Sequence, residues 1–301
     1  MKSWISMSIA LLLLICSIAS PAIAMEESKN TINESLFGET IIIEIDKVAE
    51  YSFTFNEYEM LETLSKQSSK ELAKYGFDKK EIESIKNYKQ EFRKHIENLN
   101  STYNDEELLL LDYTKEDIEV IRNYATKGGG NDSQLAANLT VYLRNSTITY
   151  NNGVNKLQLS CDFVWKKTPM ILLSDKFAVS WGSPFIVDTN VHGNGFVPLM
   201  ATYGPIHQTE SIRGERVAQQ GIVYDVPLSL GVQQSILREG NMSVTLRHNG
   251  SQINETQVSV EYVHKRSPGS IGYTLGGYGV GVSWNPAALT HWVGIIRTIG
   301  R

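Results

Sequence analysis

Asp188-Thr-Asn-Val-His-Gly193 sets polar side chains two residues apart and ends on glycine, which is how a calcium loop opens. Such a loop closes with a bidentate glutamate at its twelfth position, which here is Leu199, and His192 stands where an oxygen ligand belongs. A helix-flanked calcium loop is therefore excluded, and only a looser ion site stays open. Gly276-Gly-Tyr-Gly-Val-Gly281 is rich enough in glycine to approach a phosphate. It lacks the Gly-Lys-Ser/Thr ending of a phosphate loop, however, and lies in an alternating pattern rather than at a helix start. No His-Glu-x-x-His, paired Cys-x-x-Cys or Gly-x-Ser-x-Gly occurs, so neither common zinc signature nor the nucleophile elbow is present. The six histidines, His95, His192, His207, His248, His264 and His291, are scattered. A triad is defined by geometry rather than order, so a site assembled in three dimensions stays open, but the sequence names no catalytic residue, metal ligand or cofactor.

Cys161 is the remaining nucleophile to weigh. Leu157, Leu159, Cys161, Phe163 and Trp165 alternate along one stretch and share a face of a strand. A reactive thiolate needs an electropositive, reachable setting, so Cys161 reads as a core residue.

The elements around these residues change character along the chain. Glu39–Ile45 and Tyr51–Phe55 read as strands, and helices follow. Asn56 with Glu59, Asp78 with Glu81, and Thr114 with Asp117 each place a capping side chain three residues before a carboxylate. Apolar pairs flank each one: Phe55 and Met60, Phe77 and Ile82, Tyr113 and Ile118. Residues 69–88 align without gaps on residues 105–124, matching Leu72 to Leu108, Ile82 to Ile118, Ile85 to Ile121 and Asn87-Tyr88 to Asn123-Tyr124. Each copy reads as a short helix, a turn and a capped amphipathic helix.

This doubled Leu-x-x-x-Gly-Phe-x-x-x-x-Ile-x-x-Ile-x-Asn-Tyr unit, followed by a Trp-containing β region, resembles uncharacterised exported proteins of anaerobic bacteria and archaea. The resemblance covers most of the chain and implies export and the same layout; it implies no activity and no site residues.

Beyond Thr126-Lys-Gly-Gly-Gly-Asn-Asp-Ser133 alternation replaces helical spacing. Leu139, Val141 and Leu143 share a face, Asn151-Asn-Gly153 supplies a hairpin turn, and the Cys161 strand returns from it. Phe177–Trp181, Gly221–Val226, Met242–Arg247 and Gln257–Val263 read as further strands, and Ser235–Gly240 as a short helix or turn. In Ile271–Trp284 small residues alternate with Tyr, Leu or Val. That pattern suits core packing, a flat ligand or a membrane-inserting hairpin.

Lys2, the apolar run Ile5–Ile18 and the small-residue exit at Ala24 form a secretory signal peptide. The run is shorter than the roughly 20 residues that span a bilayer, and no transmembrane segment is expected after its removal. Lipidation at Cys16 is disfavoured by the large Ile15 before it. Once residues 1–24 are removed, the single Cys161 leaves no intrachain disulfide to form.

Residues 25–125 carry 13 Lys/Arg against 23 Asp/Glu, and residues 126–301 carry 14 against 10. Opposite charges favour docking of the two halves. Nucleic acid is not an expected partner, since the basic pairs Lys79-Lys80 and Lys166-Lys167 are isolated. Sequons for N-glycosylation begin at Asn33, Asn100, Asn131, Asn138, Asn145, Asn241, Asn249 and Asn254.

The expected architecture is therefore α+β in two domains. Residues 1–24 are the signal, 25–125 a mainly helical domain with the two-copy repeat, 126–134 a linker, and 135–301 an antiparallel β-sandwich, with a β-barrel as the alternative. The expected function is an exported, non-catalytic binding or structural protein whose partner is a cell-envelope component or surface polymer. A secreted hydrolase with an acidic covering domain and a membrane-active β protein are the alternatives.

Overall fold

Tyr51–Asn56 pairs in antiparallel register with Asn138–Leu143, from Tyr51 against Leu143 to Asn56 against Asn138. Everything between these neighbouring strands is thus an insertion, and its described residues are mainly helical. The computed structural model describes residues 39–43, 51–74, 77–127, 132–144, 146–217, 221–230, 235–265, 273–275, 282–284 and 290–300. The signal segment, with Cys16, lies outside them, as does Gly128–Gly130 of the expected linker.

After β1 (Glu39–Ile43) and β2 (Tyr51–Asn56) come helices α1 (Glu57–Lys66), α2 (Ser69–Lys74), α3 (Lys79–Lys86), α4 (Tyr88–Thr102), α5 (Asp105–Leu110), α6 (Lys115–Lys127) and α7 (Asp132–Leu135). Their starts are set by side chains that take up orphan backbone N–H groups. Asn56 accepts from Tyr58 N and Glu59 N, and Asp78 and Glu81 form a reciprocal capping box. Thr114 Oγ1 accepts from Asp117 N at 3.1 Å while Asp117 accepts from Thr114 N at 2.9 Å. Asn104 with Glu107 makes a further box that sequence reading missed. The insertion's entry and exit are tied together. Asn56 Nδ2 donates to Ser133 O and Asn138 Oδ1, and the Tyr58 and Tyr124 hydroxyls donate to the two oxygens of Asp132.

The strands are β3 (Asn138–Leu143), β4 (Thr147–Asn151), β5 (Val154–Lys166), β6 (Ser174–Trp181), β7 (Ile186–Val187), β8 (Pro198–Gly204), β9 (Gln208–Val217), β10 (Gly221–Pro227), β11 (Ile236–Asn249), β12 (Glu255–Lys265), β13 (Tyr273–Leu275), β14 (Val282–Trp284) and β15 (Thr290–Gly300), with the one-turn helix α8 (Thr189–His192) before β8. Among the described residues, thirteen of the fifteen strands make one sheet in the order β1-β15-β12-β6-β10-β9-β8-β11-β5-β3-β2, with β4 on β5 and β7 on β11. Among the described residues β13 pairs with β14; the rest of the Ile271–Trp284 pattern lies outside the described residues.

The sheet curls into a half-barrel, so that strands far apart in the ladder face each other. Phe163 of β5 lies 5.1 Å from Phe177 of β6 and 4.7 Å from Tyr262 of β12, ring centre to ring centre. Trp165 packs edge-on against Phe55, Tyr262 and His264.

This overturns the expected two-domain α+β layout with its β-sandwich, and the closed-barrel alternative with it. Residues 35–301 form one compact unit. A sandwich needs two sheets, but β8 and β9 pair continuously from Pro198–Arg213 to Tyr203–Gln208 and join both arms into one sheet. The helices are not a domain apart, because Leu61, Leu72, Phe92, Ile96, Leu108 and Ile121 are buried in the same apolar core as the strands. In Ser235–Gly240, expected as a helix or turn, the residues from Ile236 instead open β11, with a register shift between Leu237 and Glu239.

Candidate functional site

Two constellations among the described residues are candidates for chemistry, one sealed and one open. The sealed one lies where α1 meets the sheet. His264 Nδ1 is 2.9 Å from Asp175 Oδ2, and His264 Nε2 is 3.4 Å from Glu57 Oε1. Tyr262 donates to the same Asp175 oxygen at 2.8 Å and accepts from Trp165 Nε1 at 3.1 Å. Glu57 Oε2 accepts from the backbone N of Met170 at 2.8 Å. Glu57 is 1% exposed, Asp175 and His264 0%.

Burial alone would lower the affinity of His264 for its proton. The adjacent Asp175 carboxylate, with Glu57 behind it, outweighs that and holds the imidazolium up to about 9. A cation therefore sits between two carboxylates, and both ring nitrogens are committed. This His–Asp–Tyr series has the partners of an acid–base relay but its side chains are buried; it bridges the helical insertion to β6 and β12. Around it, burial lowers His95 and raises the Tyr113 and Tyr262 hydroxyls. Asp117, beyond capping α6, pairs with Lys167 at 3.0 Å with side chains 2% and 11% exposed.

The open constellation is a cavity of about 210 Å³ lined by Asn194, Gly195, Phe196, Val197, Arg213, Gly214 and Ile222. Its loop, between α8 and β8, is pinned from several sides. Asp188 caps α8 through Asn190 N, His192 Nε2 accepts from Thr245 N at 2.9 Å, and Gly195 N donates to His192 O. Phe196 N donates to Asn194 Oδ1 at 3.0 Å, and the buried Tyr224 hydroxyl donates to Val197 O at 3.1 Å. Gly214 lets the opposite strand come close: a Cβ there would lie 2.4 Å from Ile222 Cγ2 and 2.7 Å from Tyr224 Cε1. At the mouth the Arg213 guanidinium lies over the Phe196 ring, 5.3 Å from its centre. Among the described residues Arg213 has no carboxylate in ion-pair contact.

The residues singled out from sequence are dispersed. Asp188 and His192 serve the loop as cap and acceptor, and Lys156 Nζ, 4.0 Å from Asp188, occupies the electrostatic place of a cation. Among the described residues no group of three or more His, Cys, Asp or Glu is placed to hold a metal. Cys161 is buried, and burial raises its thiol well above its usual value. His264 joins the sealed bridge; His95 lies beside it; His248 packs edge-on against Phe185.

Asn100, Asn241, Asn249 and Asn254 are exposed, whereas Asn138 is half-buried and accepts from Asn56; Asn33, Asn131 and Asn145 lie outside the described residues, as does Gly276–Gly281. Glu57, Asp175, Phe196 and Arg213 were not singled out from sequence. Their only signals are a carboxylate at a helix start and an isolated Arg in a polar strand, both too common to point anywhere.

No family model matches the chain, and no curated protein does. Among solved structures, the collagen adhesin (CNA) from S. aureus is 7% identical with a TM-score of 0.24, the match covering 57% of this chain and 70% of that one. A pore-forming protein is 8% identical with a TM-score of 0.20, covering 55% of this chain and 80% of that one. Likenesses this low carry no argument about function. No helix among the described residues is long and apolar enough to cross a membrane, which says nothing of strands.

Proposed function

We propose that the chain is an exported, non-catalytic protein that binds a component of the cell envelope or a surface polymer through the cavity between the α8–β8 loop and β9. Export rests on the signal sequence. The observation that carries the binding reading is Arg213, held against Phe196 at the mouth of a pre-formed cavity with no carboxylate partner among the described residues. A pinned loop loses little freedom when a ligand arrives, so its contacts convert efficiently into affinity. The acid–base groups that catalysis would draw on are instead spent inside, holding the helical insertion to the sheet.

Co-sedimentation of Met25–Arg301 with host envelopes tests the reading. Saturable retention at physiological salt, abolished by Arg213→Ala, is expected; absence of retention at that salt overturns it.

A further inference from the structure

Resting on that reading, we propose that the cavity takes a carboxylate-bearing sugar ring, one unit at a time, from an acidic surface polysaccharide. The Arg213 guanidinium lies over the Phe196 ring and has no carboxylate in ion-pair contact among the described residues, so its N–H groups can grip a carboxylate side-on. A lysine would offer a point charge without that planar fork. At about 210 Å³ the space lies below the roughly 300–1,000 Å³ of drug-sized sites, which limits it to a single ring.

The wall suits the C–H face of such a ring. The half-buried Phe196 is its apolar face, Val197 and Ile222, 2% and 1% exposed, form the floor behind it, and Gly214 presents bare backbone. Gly214 is required by the close approach of Ile222. Asn194 has committed its Oδ1 to Phe196 N, so its remaining polar group is the Nδ2 donor, matched to a ring hydroxyl. A linear acidic side chain would engage Arg213 and leave both the apolar wall and Asn194 idle. Only a ring carrying both a carboxylate and hydroxyls uses every feature of the site.

The test is calorimetric titration of Met25–Arg301 with D-galacturonate, D-galactose and glutarate, repeated at raised salt. Galacturonate is expected to bind about tenfold or more tighter than the other two, the size of one charge-assisted pair. Its affinity should fall with salt, drop about tenfold in Arg213→Ala, and recover only in part in Arg213→Lys. Arg213 is an exposed strand residue, and urea unfolding of each variant verifies that its fold is intact; Arg213→Gln replaces any variant that fails. Galactose binding as tightly as galacturonate overturns the proposal, as does glutarate doing so or Arg213→Ala losing nothing. Envelope retention that survives saturating galacturonate yet still needs Arg213 overturns the sugar assignment and leaves the binding reading standing. Galacturonate binding without envelope retention does the reverse.

Discussion

The His264 bridge makes stability depend on pH above the ordinary histidine range, because its imidazolium is held well past that range. In the folded chain the imidazolium persists to about 9 against an ordinary 6.5, while fully buried. A raised pKa means the folded state holds the proton more tightly than the unfolded one. The stabilisation is therefore complete below about pH 6.5 and is lost as pH climbs toward about 9. Linkage puts it at about 3 kcal/mol at the acid end, of which about 2 kcal/mol disappears between pH 6.5 and 8.5.

Among the described residues, the other buried groups with shifted values do not mimic this slope. His95 is lowered by burial, so its contribution is lost on acidification below about 6.5 instead. Cys161 and the buried tyrosines enter only above their usual values of 9 and 10. Urea unfolding of Met25–Arg301 at half-unit steps from pH 6.5 to 8.5 measures the effect. His264→Gln should abolish the slope and cost about 3–5 kcal/mol at pH 6.5, because the charged ring's contacts to the buried Glu57 and Asp175 are lost. A flat wild-type profile, or the same slope in His264→Gln, refutes the assignment of the charge.

Asp117→Asn and Lys167→Met should each cost about 3–5 kcal/mol, with the double variant recovering a large part, since each single change strands a buried charge; a double-mutant cycle in urea measures the coupling. Gly240→Ala would set a Cβ 2.5 Å from Phe163 Cε1 and 2.6 Å from its Cζ. It should destabilise by about 1–3 kcal/mol, read as a lower unfolding midpoint. Gly214→Ala should cost a similar amount and also weaken galacturonate binding by calorimetry. Cys161 should resist a thiol reagent in the native chain and react stoichiometrically in urea, with native labelling no faster than unfolding at neutral pH.

How far the sequence was legible follows from which interactions are local. Helix starts at Asn56, Asp78 and Thr114 were readable because a cap and its partner lie three residues apart. The hairpin into β5 was readable because Asn152 and Gly153, both at positive φ, carry their turn chemistry with them. What failed was the joint between the arms. β9, Gln-Thr-Glu-Ser-Ile-Arg-Gly-Glu-Arg-Val, has almost no apolar alternation, and without it the remaining strands divide into two sheets. The pairing of β2 with β3 across residues 57–137 leaves no local trace either. Both carboxylates of the sealed bridge come from segments remote from His264, and Arg213 meets Phe196 only through the β8–β9 ladder. Neither site was therefore readable from spacing.

That non-local pairing also decides how the protein can be dissected. A fragment beginning at Asp132 keeps β3 through β15 but loses β2, whose backbone covers the edge of β3 and whose Phe55 packs on Trp165. It loses Glu57 as well, leaving His264 one carboxylate short and Met170 N without its acceptor. The helices cannot compensate by folding alone, because their apolar side chains share one core with the strands. Residues 132–301 alone should therefore show no cooperative unfolding transition, while adding residues 25–131 in trans should restore one, with midpoint dependent on concentration. A stable, cooperatively unfolding 132–301 fragment would show that the helical insertion is dispensable, and would refute the shared-core reading.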